Sequence, residues 1–226
     1  DPEGVALLTA VPEFSVDVVP TLPAKDLLAR IGDYDALVGR SATRISEELL
    51  EHGKRLKVVG RAGVGVDNVA VGKATELGIA VINAPAGNTI AVTELFFGTL
   101  IGLLRQIPQA AQSMVEGRWD RSKLMGHELK GRVLGVVGVG RIGTEVSRRA
   151  HAFGMEVMGY DPYISDDRFA SLRVRRAAEL KELLKAADIV TIHTPLNEET
   201  RGLVGAEEIA LLRQGAIVIN MARGGI

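Results

Sequence analysis

The 226 residues carry 27 lysines and arginines against 28 aspartates and glutamates, a net charge of −1, with 46% hydrophobic and 24% charged content. That balance offers no basic surface to nucleic acid or an anionic membrane, while the apolar fraction supplies a full core. The absence of cysteine excludes a disulfide framework, a thiol nucleophile and a cysteine metal cage, and without a span-length apolar run or a signal peptide the expectation is a cytoplasmic globular protein of one large domain or two small ones.

Taken in chain order, apolar runs of strand length alternate with amphipathic stretches. "DPEGVALLTA" reads as a helix start, with Asp1 as cap and Pro2 in the first turn. "FSVDVV" (residues 14–19), "DALVGR" (35–40), "LKVVGR" (56–61) and "IAVINA" (79–84) read as strands. Between them "AKDLLARI", "SEELLEHG" with Ser46 as cap, and "NVAVGKATELG" with Gly78 as stop read as helices. A parallel unit should carry a strand before its first helix. None precedes Asp1, so this unit is expected to lack its first strand.

Residues 88–117 form one long helical tract that Pro108 kinks or divides. After the non-periodic "RWDRSKLMGHELKG", a second β–α series follows with strands "RVLGVVG", "EVMGYD", "DIVTIHT" and "AIVINM". The alternation predicts an α/β fold of two doubly wound parallel-sheet domains, with a boundary near residues 85–88.

"VLGVVGVGRIGTEV" places Gly138, Gly140 and Gly143 in a G-x-G-x-x-G turn between an apolar strand and a helix. The first glycine permits the tight turn, the second lets a pyrophosphate reach the backbone, and the third lets helix and strand pack closely. The helix N-terminus then offers N–H groups and its dipole to phosphate. Asp161, 18 residues after Gly143 (161 − 143) at the end of the next strand, stands where a carboxylate holds the adenosine ribose. It would repel a 2′-phosphate, so NAD is expected rather than NADP. His193, Thr194 and Pro195 end another strand. A histidine entering a proline turn with no carboxylate beside it in sequence suits a structural role better than a proton shuttle, and Thr194 and Pro195 read as a wall of the cofactor groove.

Arg40, Arg61 and Arg223 each finish a strand. One such arginine is as readily a solvated surface residue, but three at carboxyl ends suggest an anion site, because guanidinium binds carboxylate or phosphate bidentately. "GVGV" at residues 63–66 offers main-chain donors to the same end. A cleft with NAD on one wall and arginines on the other would suit oxidation of a small anionic alcohol. No metal is called for.

In order along nearly the whole chain, "RSAT", "VGRAGVGVDNV", "NAPAGNTIAVTE", "GVGRIG", "YDP", "HTPLNEETRGL" and "INMARGGI" resemble the D-2-hydroxyacid dehydrogenases. "RQIPQA", "GRWDR" and "GHELKG" favour the branch that oxidises phosphoglycerate over relatives acting on glyoxylate, lactate or phosphite. The resemblance implies NAD-dependent oxidation of D-3-phosphoglycerate to 3-phosphohydroxypyruvate, the first step of serine synthesis. It implies a flavodoxin-like substrate-binding domain at residues 1–86 and a Rossmann-type NAD-binding domain at 87–226, incomplete at its C-terminus. NAD would meet Gly138, Gly140, Arg141, Ile142, Gly143, Asp161, Pro162, His193, Thr194, Pro195, Met221, Ala222 and Arg223. Arg223 would be catalytic, orienting the substrate carboxylate and polarising the C2 oxygen.

Arg40, Arg61, Gly63, Val64 and Asn88 would bind the small anionic 2-hydroxy acid. The resemblance further implies a homodimer or homotetramer assembled through the long helix and the loop around Trp119, with Arg121 and Lys123 as candidates to reach a partner's site. Equally, they are solvated loop charges. The family's proton-transfer histidine and its glutamate match none of His52, His127, His151 or His193. The chain is therefore expected to be trimmed at both ends and inactive alone. The alternatives are a dehydrogenase for another D-2-hydroxy acid of glyoxylate or hydroxypyruvate type, and an NAD-responsive corepressor on the same fold.

Overall fold

A computed structural model describes residues 2–226; the proposed cap Asp1 lies outside the described residues. The chain divides into two compact units, Asp1–Gly87 and Asn88–Ile226.

The first unit contains α1 (Pro2–Thr9), α2 (Ala24–Arg30), β1 (Ala36–Gly39), α3 (Glu47–His52), β2 (Val58–Arg61), α4 (Val71–Glu76) and β3 (Ala80–Asn83). Its strands form a parallel sheet in the order β1-β2-β3. Ser46 caps α3 as expected, its hydroxyl accepting from the Leu49 N–H at 3.2 Å. Leu49 and Leu50 of α3, Ala74 of α4 and Val59 of β2 close the core with Ile31, Ile45 and Ile79. The register aligns Gly39 with Arg61 and Arg61 with Asn83, so the strands finish level with one another.

Residues 14–19 are not a strand. Their apolar alternation satisfies strand propensity, but a strand exists only where a neighbour supplies ladder partners. No segment among the described residues pairs with the outer edge of β1. The stretch is tied instead by a side chain, Tyr34 Oη donating to Asp17 at 2.5 Å. Phe14 and Val18 remain 56% and 67% exposed.

The second unit opens with α5 (Thr89–Leu104) and α6 (Ile107–Val115). Pro108 sits in the first turn of α6 and the two helices bend by 65°. The break itself falls on Gln106, in the left-handed region at φ 51°. Its side chain holds it there by donating to Met125 O at 2.7 Å. No single helix of the described residues is long and apolar enough to cross a membrane.

There follow β4 (Val133–Val137), α7 (Arg141–Ala152), β5 (Glu156–Tyr160), α8 (Asp166–Ser171), β6 (Arg175–Arg176), α9 (Leu180–Ala186), β7 (Ile189–Ile192), α10 (Ala206–Ile209) and β8 (Ile217–Asn220). All five strands are parallel, in the order β6-β5-β4-β7-β8. Alternate residues supply two cores. Leu134, Val136 and Ile189 pack with Phe96, Leu100 and Val146 on one face, and Val137, Met158 and Val190 with Leu183 and Leu184 on the other. Burial on both faces is why these strands read as unbroken apolar runs.

From β4 the chain winds one way through β5 and β6, then returns to the other side of β4 as β7 and β8. That reversal marks the carboxyl ends of β4 and β7 as the place where open α/β sheets bind ligands. The strand β6 was not read from the sequence. It is two exposed arginines at the sheet edge, without the apolar content that marks the others.

Candidate functional site

At the end of β4 the three glycines occupy three different environments. Gly138 takes φ +87° and its N–H donates to Tyr160 O at 2.9 Å, locking the turn to the end of β5. A Cβ on Gly138 would stand 3.0 Å from the His193 carbonyl carbon. At Gly140 a Cβ would meet nothing within 4 Å, leaving that side of the backbone open to a ligand. On Gly143 it would lie 2.2 Å from Gly138 O, so only a glycine lets α7 come this close to the turn. The first bond of α7 runs from Thr144 N to Gly140 O at 2.9 Å. The N–H groups of Arg141, Ile142 and Gly143 are therefore without intrahelical acceptors, as in any first turn, and suit an anion.

Asp161 follows β5. One carboxylate oxygen accepts from Val139 N at 2.9 Å and the other from Tyr163 N at 3.0 Å. It thus pins the glycine turn and shapes its own proline turn at Pro162, and each oxygen keeps a second lone pair.

On the other side of β4, the His193 N–H continues the ladder to Val137 O at 2.8 Å. Its Nε2 lies 2.9 Å from Thr191 Oγ1, and its ring meets Phe96 edge-on at 6.2 Å between centroids. Burial pushes the imidazole down to about 4, so it is neutral at ordinary pH. No carboxylate pairs with it among the described residues. His193 Nδ1 and Thr194 Oγ1 are buried with no hydrogen-bond partner among those residues. Two unmet polar atoms beside the glycine turn are the strongest sign here that the groove is built to receive a ligand.

Past β8, Asn220 organises the last turn. Its Oδ1 accepts from Ala222 N at 2.9 Å and its Nδ2 donates to Arg223 O at 2.8 Å. Met221 and Ala222 pack into opposite cores, which leaves the Arg223 side chain half-buried at the carboxyl edge, donating to Ala222 O at 3.0 Å.

In the first unit, Arg40 and Arg61 come together at the ends of adjacent strands, but they are not equivalent. Arg40 is exposed. Arg61 folds back on its own loop, its Nη1 donating to Ala62 O at 2.9 Å and its Nε to Asn68 Oδ1 at 3.3 Å. Gly63 makes room for this, since a Cβ there would sit 1.8 Å from Arg61 Nη1. The Gly63 N–H is already given to Arg61 O at 2.8 Å, so the loop's main-chain donors begin at Val64. Two residues that sequence reasoning passed over hold the loop. Asn68 Nδ2 donates to Thr43 O at 2.7 Å and Arg40 O at 3.2 Å, and Asn83 Nδ2 to Val64 O at 2.7 Å.

Asn88 precedes α5 as its exposed N-cap residue, without a side-chain bond to the helix. Arg121 and Lys123 lie in a single exposed turn, where Lys123 pairs with Asp120 at 3.1 Å.

A family model described as the catalytic domain of D-isomer specific 2-hydroxyacid dehydrogenase matches residues 1–123, and one described as its NAD binding domain matches residues 97–226. The D-3-phosphoglycerate dehydrogenase of Methanocaldococcus jannaschii is 46% identical over 224 residues, covering 99% of this chain and 42% of the relative. That of Bacillus subtilis is 48% identical over 193 residues, 85% of this chain and 37% of the relative. The chain thus spans less than half the length of these relatives. Among solved structures, a D-lactate dehydrogenase from Aquifex aeolicus complexed with NAD and lactic acid superposes with a TM-score of 0.81 at 29% identity, covering 88% of this chain and 59% of that one.

Proposed function

The chain belongs to the D-isomer specific 2-hydroxyacid dehydrogenase family, and on that footing we propose that it serves NAD-dependent oxidation of D-3-phosphoglycerate to 3-phosphohydroxypyruvate, at the entry to serine synthesis in the cytoplasm. The observation that carries the reading is the glycine turn. Its glycines supply a tight bend, an open backbone and a close helix contact, and Asp161 is bonded directly to the turn.

NAD, when bound, supplies the acceptor for the hydride leaving C2 of the substrate. The residues of this chain do the holding. The first-turn N–H groups at Arg141, Ile142 and Gly143 take the pyrophosphate. The free lone pairs of Asp161 accept from the adenosine ribose hydroxyls, with Pro162 beside them. Thr194 Oγ1, His193 and Pro195 line the groove, and Met221 and Ala222 the nicotinamide side. Arg223 orients the substrate carboxylate and stabilises the negative charge that builds on the C2 oxygen as its proton passes to a general base. In the first unit Arg40, Arg61 and the Val64 backbone offer donors suited to an anionic substrate, and in the second Asn88 does so at the start of α5. His193 keeps its neutral, buried place and does not carry the proton.

A homodimer is part of the proposal. Leu95, Leu103, Val115 and Trp119, along α5, α6 and the loop that follows, are exposed, Val115 and Trp119 by 83% and 79%. Large apolar side chains this exposed suit an interface better than open water. Light scattering on the full-length protein tests this, and a monomer would refute it.

The function is tested by turnover of the full-length protein with NAD and a panel of hydroxy acids. The highest kcat/KM is expected with D-3-phosphoglycerate. A preference for lactate or hydroxypyruvate would move the protein to another branch of the family. NAD binding without turnover of any hydroxy acid would favour the corepressor reading.

A further inference from the structure

The loops after β5 and β7 meet. The Tyr163 hydroxyl, in the turn that begins at Asp161, donates to Glu199, 36 residues away in the loop that begins at His193. Both parent strands pair with β4 on opposite sides. Two strand spacings, about 9.5 Å, therefore separate them, and a bond between their loops has to cross the end of β4. The glycine turn leaves β4 at that end. The crossing thus runs over the adenosine half of the proposed groove.

Both ends of this bridge are anchored. Tyr163 N donates to Asp161 Oδ1 at 3.0 Å. On the other side, Thr200 ties the loop that carries Glu199. Its hydroxyl donates to Pro195 O at 2.5 Å and its N–H to Asn197 Oδ1 at 2.9 Å, while Asn197 N donates to Thr200 Oγ1 at 2.9 Å. The phenol is pushed above its ordinary value, first by the bond to Glu199, then by desolvation and the Glu199 charge, with Asp161 acting in the same direction. Two carboxylates therefore act on one phenol.

We infer that Tyr163 and Glu199 form a latch across the adenosine half of the groove, which slows dinucleotide release and makes Glu199 a second carboxylate, beside Asp161, that rejects a 2′-phosphate. The inference rests on the NAD-binding reading above and adds two residues to it. Tyr163, 75% exposed, supplies the outer wall, and Glu199 holds it closed. The negative charge that fixes the phenol is the same one a phosphorylated ribose would have to approach.

The test is dinucleotide binding and release by the full-length protein, with NAD and NADP as probes and stopped-flow fluorescence as the readout. Tyr163→Phe keeps the ring and removes the bond, so NAD should leave about five- to tenfold faster with the NADP-to-NAD affinity ratio unchanged. Glu199→Gln keeps an acceptor and removes the charge, so the ratio should move toward NADP by about tenfold. Adding Tyr163→Phe to Glu199→Ala should speed release no further, since both substitutions break one bond. Both side chains are exposed, so circular dichroism should show an unchanged fold. Release from Tyr163→Phe at the parent rate overturns the latch, and an unmoved ratio in Glu199→Gln overturns the second carboxylate. A parent protein that binds neither dinucleotide overturns the NAD reading itself, and the latch with it.

Discussion

Burial of His193 makes the stability of the second unit depend on pH in a calculable way. The imidazole is held neutral by desolvation, its pKa falling from 6.5 to about 4. Between those values the unfolded chain binds a proton that the folded chain refuses, so stability rises with pH through that window. The contribution is fully present above 6.5, is lost as pH falls, and changes no further below about 4. The interval corresponds to about 3 kcal/mol of folding free energy. His193→Gln isolates this effect, because glutamine can still bond to Thr191 and does not titrate. Urea denaturation followed by circular dichroism should give both proteins the same acid losses from their carboxylates, but only the parent should lose the additional amount. The difference between their stability curves should therefore shift by about 3 kcal/mol in the variant's favour as pH falls from neutrality to about 4. Titration of the imidazole by NMR gives an independent reading. Parallel stability curves, or an imidazole titrating near 6.5, would refute the reasoning and return His193 to contention as a proton carrier.

The glycine turn separates packing from binding. Gly143→Ala puts a Cβ 2.2 Å from Gly138 O and should cost about 1–3 kcal/mol in thermal or chemical denaturation, with loss of NAD affinity. Gly140→Ala meets nothing within 4 Å at an ordinary φ of −69°, so it should weaken NAD while leaving Tm in place; equal stability losses in the two variants would contradict the assignment. Asp161→Ser should narrow the preference for NAD over NADP and, by weakening the bonds to Val139 and Tyr163, lower stability by about 1–2 kcal/mol; an unchanged cofactor ratio would remove Asp161 from the ribose site. Arg40→Ala should raise KM for D-3-phosphoglycerate more than KM for NAD without moving Tm, whereas Arg61→Ala should change both KM and Tm because Arg61 braces Ala62 and Asn68. Should neither variant change the two KM values unequally, the arginines are ordinary surface charges.

What the sequence revealed of the fold follows from what each strand must bury. β4 and β7 are covered on both faces and their side chains are almost wholly buried, so they appear as unbroken apolar runs. β6 contributes only main-chain pairing at an edge, and nothing in two arginines announces it. The opposite error occurs at residues 14–19, where the side-chain pattern of a strand is present but the ladder partner is absent among the described residues. The division of the long helical tract was visible through Pro108. The left-handed residue that makes the bend is Gln106, held by a contact with Met125, and no local rule singles out a glutamine for that conformation.

The site was legible where chemistry and local conformation coincide. A glycine turn needs glycines at fixed spacing, and a carboxylate at the next strand end follows from the geometry of the β–α–β unit. It was illegible where a residue acts through a distant partner. Nothing local says that Arg61 turns inward, that Gly63 is small to admit its guanidinium, or that Asn68 ties both to Thr43 and Arg40. The same holds for Tyr163 and Glu199, which are unremarkable until the strand order brings their loops together. Asp161 joins the two cases. Its position identifies it as a ribose ligand, while its bonds to Val139 and Tyr163 make it the clamp on the turn that receives the phosphates. One carboxylate thereby couples the shape of the phosphate site to the choice of cofactor. A substitution that alters cofactor preference at this position should therefore also loosen the turn, and the two effects should separate only when Val139 and Tyr163 are given another acceptor.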